Sequence, residues 1–289
     1  MVLLFDTFSL FFRAHYALPP MSTSSGEPTG ALYGFSALTL KLLREHRGAE
    51  LAFALDAPAA TFRHEAFAGY KAERPPVPDD LARQFARLEQ LLEVLSVPTF
   101  RLPGFEADDV LSTLAAELRR EGTHGLVVSG DRDLLQVVSQ EVHVLFVGRR
   151  GKEAVTYDVA RVIERFGVPP ERLPSYLALV GDASDNLPGV PGIGPGTAKK
   201  LLAQRSSCSE LLSKLGEVGS TRVRQSLERH REQILLTERL ARLRDDLPLG
   251  DGPRRGAPTR QNLVDLRALF AKLEFKSLLT RIDALLGLE

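Results

Sequence analysis

Short apolar runs, each followed by a longer stretch of helical spacing, recur through the first half of this 289-residue chain, and this alternation is its most constraining feature. Val2 to Phe5, Leu51 to Leu55, Thr99 to Leu102, Leu126 to Val128 and Val142 to Val147 are rich in Val, Leu and Phe, and each ends near a turn residue or an acid. Such runs suit strands buried on both faces, and the intervening patterns supply the crossovers that parallel strands need. Ala31 to Arg47, Asp79 to Leu95, Ala107 to Arg120 and Asp133 to Ser139 carry apolar residues at three and four spacing, with Asp79 and Asp80 suited to a helix start. The expected fold class is therefore α/β, a mostly parallel central sheet flanked by helices. With 44% hydrophobic residues the chain can bury a sizeable core as one large or two modest domains. Strand signals stop after about residue 157, which divides the chain into an α/β core, residues 1–156, and a helical part, residues 157–289. A turn at Asp251-Gly-Pro-Arg-Arg-Gly-Ala-Pro precedes the last helical pair.

Two stretches depart from this rhythm. Leu18 to Gly30, rich in Pro, Ser, Thr and Gly, reads as an exposed, mobile loop. Residues 57–78 hold Arg63, His64, Lys71, Arg74 and Pro75-Pro-Val-Pro, a basic insertion between a strand and the next clear helix that reads as a movable ligand clamp.

Acids fall repeatedly where strands end. Asp6 closes the first strand and Asp56 the second; Glu106, Asp108 and Asp109 open the helix after Pro103-Gly104; Asp131 and Asp133 follow Val127-Val128-Ser129-Gly130. The carboxyl ends of parallel strands line one crevice, so these distant positions are expected to converge, with Asp182 and Asp185 joining from the helical part. Nine carboxylates brought together would repel one another unless divalent cations sat among them. All-oxygen ligands without Cys or a His cluster favour Mg²⁺ or Mn²⁺ over zinc, and two such ions about 3.5–4 Å apart suit phosphodiester displacement. A single Asp at a helix start is more often a plain cap, so the reading rests on the whole array.

Pro188-Gly-Val-Pro-Gly-Ile-Gly-Pro-Gly-Thr-Ala-Lys-Lys lies between two helical patterns, Leu173 to Val180 and Thr197 to Gln204. Its glycines permit a tight turn and close approach of backbone amides to a phosphate, so Gly189, Gly192, Ile193, Gly194, Gly196, Thr197, Lys199 and Lys200 are candidate DNA contacts. The Gly-Lys-Ser/Thr ending of a nucleotide P-loop is absent. The formal net charge is zero, 37 basic against 37 acidic residues, yet residues 199–244 carry 11 Lys or Arg against 5 Glu. A basic face around a metal-neutralised acidic hole fits a nucleic acid. The six histidines are scattered, and none reads as catalytic.

One cysteine, Cys208, excludes an internal disulfide and points to a reducing, cytoplasmic setting; neither a basic leader nor a membrane-length apolar run is present in the sequence.

These motifs together resemble the structure-specific 5′ nucleases, the flap endonucleases and the 5′-nuclease domain of bacterial DNA polymerase I. The resemblance runs nearly end to end: Asp6 with Arg13, Thr29-Gly-Ala-Leu-Tyr-Gly-Phe, Thr61-Phe-Arg-His-Glu, Tyr70-Lys71, Arg74-Pro-Pro-Val-Pro, Phe105-Glu-Ala-Asp-Asp-Val, Gly130-Asp-Arg-Asp-Leu and Gly181-Asp-Ala-Ser-Asp-Asn-Leu-Pro-Gly. It implies a first metal site of Asp6, Asp56, Glu106, Asp108, Asp109 and Asp131, and a second of Asp133, Asp182 and Asp185. It further implies a helical arch over about 57–78, whose Arg63, Lys71 and Arg74, with Arg13, steer the scissile phosphate, and a helix-hairpin-helix element over about 173–204 that holds duplex, often with K⁺. The implied activity is metal-dependent 5′-3′ exonuclease or flap endonuclease cleavage of DNA with a 5′ flap, nick or free 5′ end, RNA-primed ends included, by a monomer in replication and repair. Two residues depart from the family pattern: Thr7 stands where Gly is common, and Pro58-Ala-Ala replaces a stretch that often carries Lys. The rival readings are a junction-binding protein without chemistry and a small toxin-type ribonuclease, which would lack the hairpin. No proofreading or polymerase motif follows, so the chain is expected to be either a stand-alone nuclease or an excised domain.

Overall fold

A computed structural model describes residues 1–148 and 153–288. Its sheet has the order β3-β2-β1-β4-β5-β6, with β1 Val2–Asp6, β2 Glu50–Ala54, β3 Thr99–Phe100, β4 Gly125–Ser129, β5 Val142–Phe146 and β6 Val155–Tyr157. The first five strands pair in parallel and β6 runs antiparallel to β5. Five strands lie where the apolar runs predict them. The three residues of β6 are too few to leave a pattern, and they straddle the division expected at residue 156.

Period-two alternation along β1 builds two cores. Leu3 and Phe5 face one side with Leu51, Phe53, Leu126 and Val128, while Val2 and Leu4 face the other with Ala52, Ala54 and Val127. The first side is covered by α1 (Thr7–Ala17), α2 (Gly30–Glu45) and α5 (Phe85–Leu95), and the second by α6 (Ala107–Glu121) and α8 (Leu173–Val180). Phe5 packs on Phe53 at 4.9 Å and edge-on to Phe35 at 6.4 Å, all three fully buried. Burial of each such ring stabilises by roughly 1.5–3 kcal/mol.

The last two helices, α13 (Arg260–Lys272) and α14 (Lys276–Leu286) in chain order, return to the first core. Leu266, Leu269, Phe270, Leu278 and Ile282 are buried among the residues of β1, β2, α2 and α5. The C-terminal region thus divides: residues 159–241 form the helical part, and α13 and α14 belong structurally to the α/β body.

Helix α1 was not anticipated. It starts without a loop after β1, and its run Phe8-Ser9-Leu10-Phe11-Phe12 buries only Leu10 and Phe11 fully, which blurs the helical period. The pattern over residues 79–95 is broken into α4 (Asp79–Ala82) and α5 because Gln84 turns inward between them, its Oε1 accepting from the amides of Ala31 and Leu32 at the start of α2. Asp133–Val137 is a 3₁₀ turn. Contrary to the mobile-loop reading, the segment between α1 and α2 is tied down: Ser22 pairs with Pro28, Glu27 accepts two bonds from Arg87, and Ser24 bonds to Glu274. Among the described residues no helix is long and apolar enough to cross a membrane.

Candidate metal centre

Chain connections leave β1 toward β2 on one side and reach β4 on the other, so the crevice between the carboxyl ends of β1 and β4 is a topological switch point. Asp6 ends β1 there, fully buried, accepting from the Ser129 hydroxyl at the end of β4 and from the Ser9 amide. The same Ser129 hydroxyl accepts from the Asp131 amide, so one small polar side chain positions two acids. Asp56, beyond β2, accepts from the Ala107 amide at 2.8 Å and so docks on the first turn of α6. Glu106 caps that helix and Asp108 lies in its first turn. Asp131 accepts from the Asp133 amide. Asp182 and Asp185 sit on the bend that follows α8, where Asp182 and Leu187 exchange backbone bonds of 2.9 and 2.8 Å.

These acids feel one another. Burial first, then the charges of Asp131 and Asp56, push the Asp6 carboxyl from 3.8 up to about 7. Burial likewise raises Asp108 well above the usual range, aided by Asp6 and Asp131, and raises Asp133 well above it, aided by Asp131, Asp185 and Asp182. Asp131 is raised chiefly by burial, which its bond from the Asp133 amide opposes. Among the described residues no group of three or more acidic, histidine or cysteine side chains is already gathered tightly enough to hold a metal ion. The donor set nonetheless fits a hard divalent cation: oxygen only, supplied by several elements, and strained by like charge that a cation would relieve.

Lys71 and Arg74 provide counter-charge. Lys71 Nζ lies 2.7 Å from Glu106 and 3.7 Å from Asp185, and Arg74 donates to Asp185 at 2.8 Å. Lys71 adopts φ 54°, a left-handed conformation costing about 1–3 kcal/mol in a non-glycine residue, and its amide is held by the Asp185 carbonyl. Tyr70, which the sequence reading did not place in the site, puts its buried hydroxyl 2.9 Å from Glu106 and 2.8 Å from Asp185. Burial and those two carboxylates drive its pKa far upward, so it stays a neutral donor. Tyr70-Lys71 was part of the family resemblance, but nothing in the sequence assigned the tyrosine itself a role. Ser129 likewise hid as a small residue at a strand end.

Two expected site residues are engaged elsewhere. Arg63 is 1% exposed and bonds both oxygens of Asp109, at 2.6 and 2.8 Å, as well as the carbonyls of Leu240 and Arg242. Asp109 also accepts from the amides of Arg244 and Glu106, so its lone pairs are taken. The spacing Glu-Ala-Asp-Asp puts Asp108 toward the acids and Asp109 on the far side of the first turn. Asp109 is therefore not placed as a metal ligand, nor Arg63 as a phosphate contact. Arg13 lies against Gly130, donating to its carbonyl and stacking over Phe146; a Cβ at Gly130 would come within 2.5 Å of the guanidinium.

The glycine hairpin closes on two glycines that must lack side chains. A Cβ on Gly189 would lie 2.4 Å from the Val180 carbonyl carbon, and one on Gly181, at φ 83°, would lie 2.6 Å from the Gly189 nitrogen. Gly192, Gly194 and Gly196 are exposed with open space around them, leading into α9 (Pro195–Leu202), on which Thr197, Lys199 and Lys200 follow. Ile193, expected at the ligand, is instead 5% exposed and anchors the turn in the core.

Residues 1–167 match the family model of the 5′-3′ exonuclease N-terminal resolvase-like domain, and residues 168–262 match that of the 5′-3′ exonuclease C-terminal SAM fold. The chain belongs to the 5′-3′ exonuclease family. A 5′-3′ exonuclease of Aquifex aeolicus is 37% identical over 96% of this chain and 93% of its own length. A thermostable DNA polymerase I of Thermus filiformis is 44% identical over 99% of this chain, which spans about a third of that relative (34%). Members of the family share the fold with more distant solved structures. The T5 D15 protein crystallised with metal ions superposes at a TM-score of 0.69, with 20% identity over 83% of this chain and 88% of that one. The catalytic core of Rad2 in complex with DNA gives 0.60, with 14% identity over 94% and 86%.

Proposed function

We propose that this protein is a divalent-metal-dependent 5′ nuclease that hydrolyses phosphodiesters of DNA at flaps, nicks or free 5′ ends. The observation that carries the reading is the crevice at the end of β1 and β4, where eight carboxylates from five segments lie near the cations Lys71 and Arg74. Asp6, Asp56, Glu106, Asp108 and Asp131 would hold one Mg²⁺ or Mn²⁺ ion, and Asp133, Asp182 and Asp185 a second. When bound, such ions stabilise the attacking and leaving oxygens of an in-line displacement.

The chain's own residues do the rest. Lys71 and Arg74 pair with Glu106 and Asp185, and with those carboxylates committed to a cation they would be free to offset charge on the phosphate. Tyr70 spans Glu106 and Asp185, holding the two ligand sets in register. The exposed amides of the glycine hairpin and Lys199 and Lys200 on α9 would grip the backbone of duplex DNA, with K⁺ as a third partner there, so recognition is by shape and not by base. Support for DNA as substrate comes from the family match and from the DNA-bound state of the Rad2 core.

The test is cleavage of a 5′-labelled flap duplex with Mg²⁺, with Mn²⁺ and with EDTA, beside a blunt duplex. Cutting near the junction that needs metal and disappears in Asp131→Ala, with flap binding kept, is the expected result. A flap that is bound yet stays whole with both metals would favour a junction-binding protein without chemistry.

A further inference from the structure

A groove of about 470 Å³ opens on the side of the arch away from the carboxylates, lined by Phe62, Glu65, Ala66, Arg239, Arg242 and Arg244. None of its lining residues is among the proposed metal ligands. Arg63, beside Phe62 on α3 (Phe62–Ala66), approaches Glu106 to 3.3 Å with NH1 and donates with Nε to the carbonyl of Leu240, the residue between Arg239 and the 241–242 pair. The groove and the crevice are thus two faces of one wall.

Its charges sort into committed and available. Arg244 is held by Asp246 through bonds of 2.8 and 3.0 Å. Arg242 is half-exposed and forms an i,i+4 ion pair with Glu238 at 3.6 Å, without a hydrogen bond, while Glu238 also accepts from the Ser175 hydroxyl and the Cys208 amide. Arg239 is exposed and has no ion pair among the described residues. Glu65 is the one acid in the lining. The half-buried ring of Phe62 packs on Phe105 at 5.9 Å and carries the Arg63 guanidinium at 4.5 Å, which fixes it rigidly. The exposed Arg239 and the loosely paired Arg242, beside a fixed aromatic ring, suit alternating phosphates and bases of a flexible strand and not a rigid duplex.

Resting on the nuclease reading above, we propose that this groove binds single-stranded nucleic acid: the displaced 5′ strand, on leaving the crevice past the arch, lays phosphates on Arg239 and Arg242 and stacks a base on Phe62. It is a specificity site for long single strands, separate from the chemistry.

The test pairs Arg239→Glu/Arg242→Glu with the milder Arg239→Gln/Arg242→Gln, both checked for an unchanged melting temperature. The 289-residue chain is assayed on a long-flap duplex, on a nicked duplex and, in EDTA, with a fluorescent oligodeoxythymidine. The expected result is a KM for the long flap raised about ten-fold, with kcat and nick cleavage unchanged. The oligonucleotide's log affinity should also fall less steeply with log salt, the slope shrinking by about 1.4, or 0.7 for each of two lost phosphate contacts. Equal effects on flap and nick, or an oligonucleotide affinity and slope unaltered by either variant, overturn the proposal. If the unmodified protein cuts nothing, the nuclease reading fails by itself, and the oligonucleotide arm still decides whether the groove binds a strand.

Discussion

Arg63→Ala distinguishes two roles for the same residue, a buried strut or a phosphate contact. The guanidinium makes four hydrogen bonds, two to Asp109 and two to the carbonyls of Leu240 and Arg242, while 1% exposed. Truncation leaves Asp109 charged, 0% exposed, with only the Arg244 and Glu106 amides as donors, and strands two carbonyls. Removing one partner of a buried pair costs about 3–5 kcal/mol. Burial by itself would lower the Arg63 pKa, but Asp109 and Glu106 raise it above the usual value, so Arg63 stays charged. At about 2–4 °C per kcal/mol for a protein of this size, the melting temperature should fall by roughly 6–20 °C. Calorimetry measures that fall, and single-turnover cleavage well below the transition measures function. The double variant Arg63→Met/Asp109→Leu, which replaces the pair by apolar groups, should recover most of the loss. A variant as stable as the parent but about 10² slower would refute the strut and restore Arg63 to the phosphate.

Lys71→Ala removes the cation 2.7 Å from Glu106, and flap cleavage should slow by about 10² with flap affinity nearly unchanged; an unchanged kcat would sink its proposed role. Gly189→Ala forces a Cβ to 2.4 Å from the Val180 carbonyl carbon, so duplex affinity measured by anisotropy should drop, with about 1–3 kcal/mol lost in urea unfolding; normal binding would show that the hairpin tolerates displacement. Metal-free protein should lose stability as pH rises from about 4 through 7. In that window native Asp6, with its pKa raised to about 7, keeps a proton that the unfolded chain at 3.8 has released, which is worth at most about 4 kcal/mol. Mg²⁺ added at pH 6.5 should release protons and flatten that profile, and calorimetry in buffers of different ionisation heat that shows no release would contradict a metal site at Asp6.

The sheet was legible because fully buried parallel strands must be apolar throughout, as in Val2–Phe5 and Leu51–Leu55, and because acids at strand ends converge by topology alone. What stayed hidden depends on side-chain direction and on contacts distant in sequence. Neighbouring Asp108 and Asp109 are alike in sequence, but a helical step of about 100° sends one to the crevice and the other to Arg63. Arg63 looked like a surface cation because its carbonyl partners, at residues 240 and 242, follow some 180 positions later. Tyr70 hid for the same reason, since Glu106 and Asp185 follow it by 36 and 115 positions.

The return of α13 and α14 to the core of β1 sets an order for biosynthesis. The α2 and α5 layer over the Leu3 and Phe5 face stays partly uncovered until Leu266, Phe270 and Ile282 emerge, roughly 10–50 s later at 5–20 residues per second. Over that interval the nascent chain presents an incomplete apolar layer, a target for holdase chaperones. A truncation ending at residue 262, where the family model ends, would leave that layer uncovered for good.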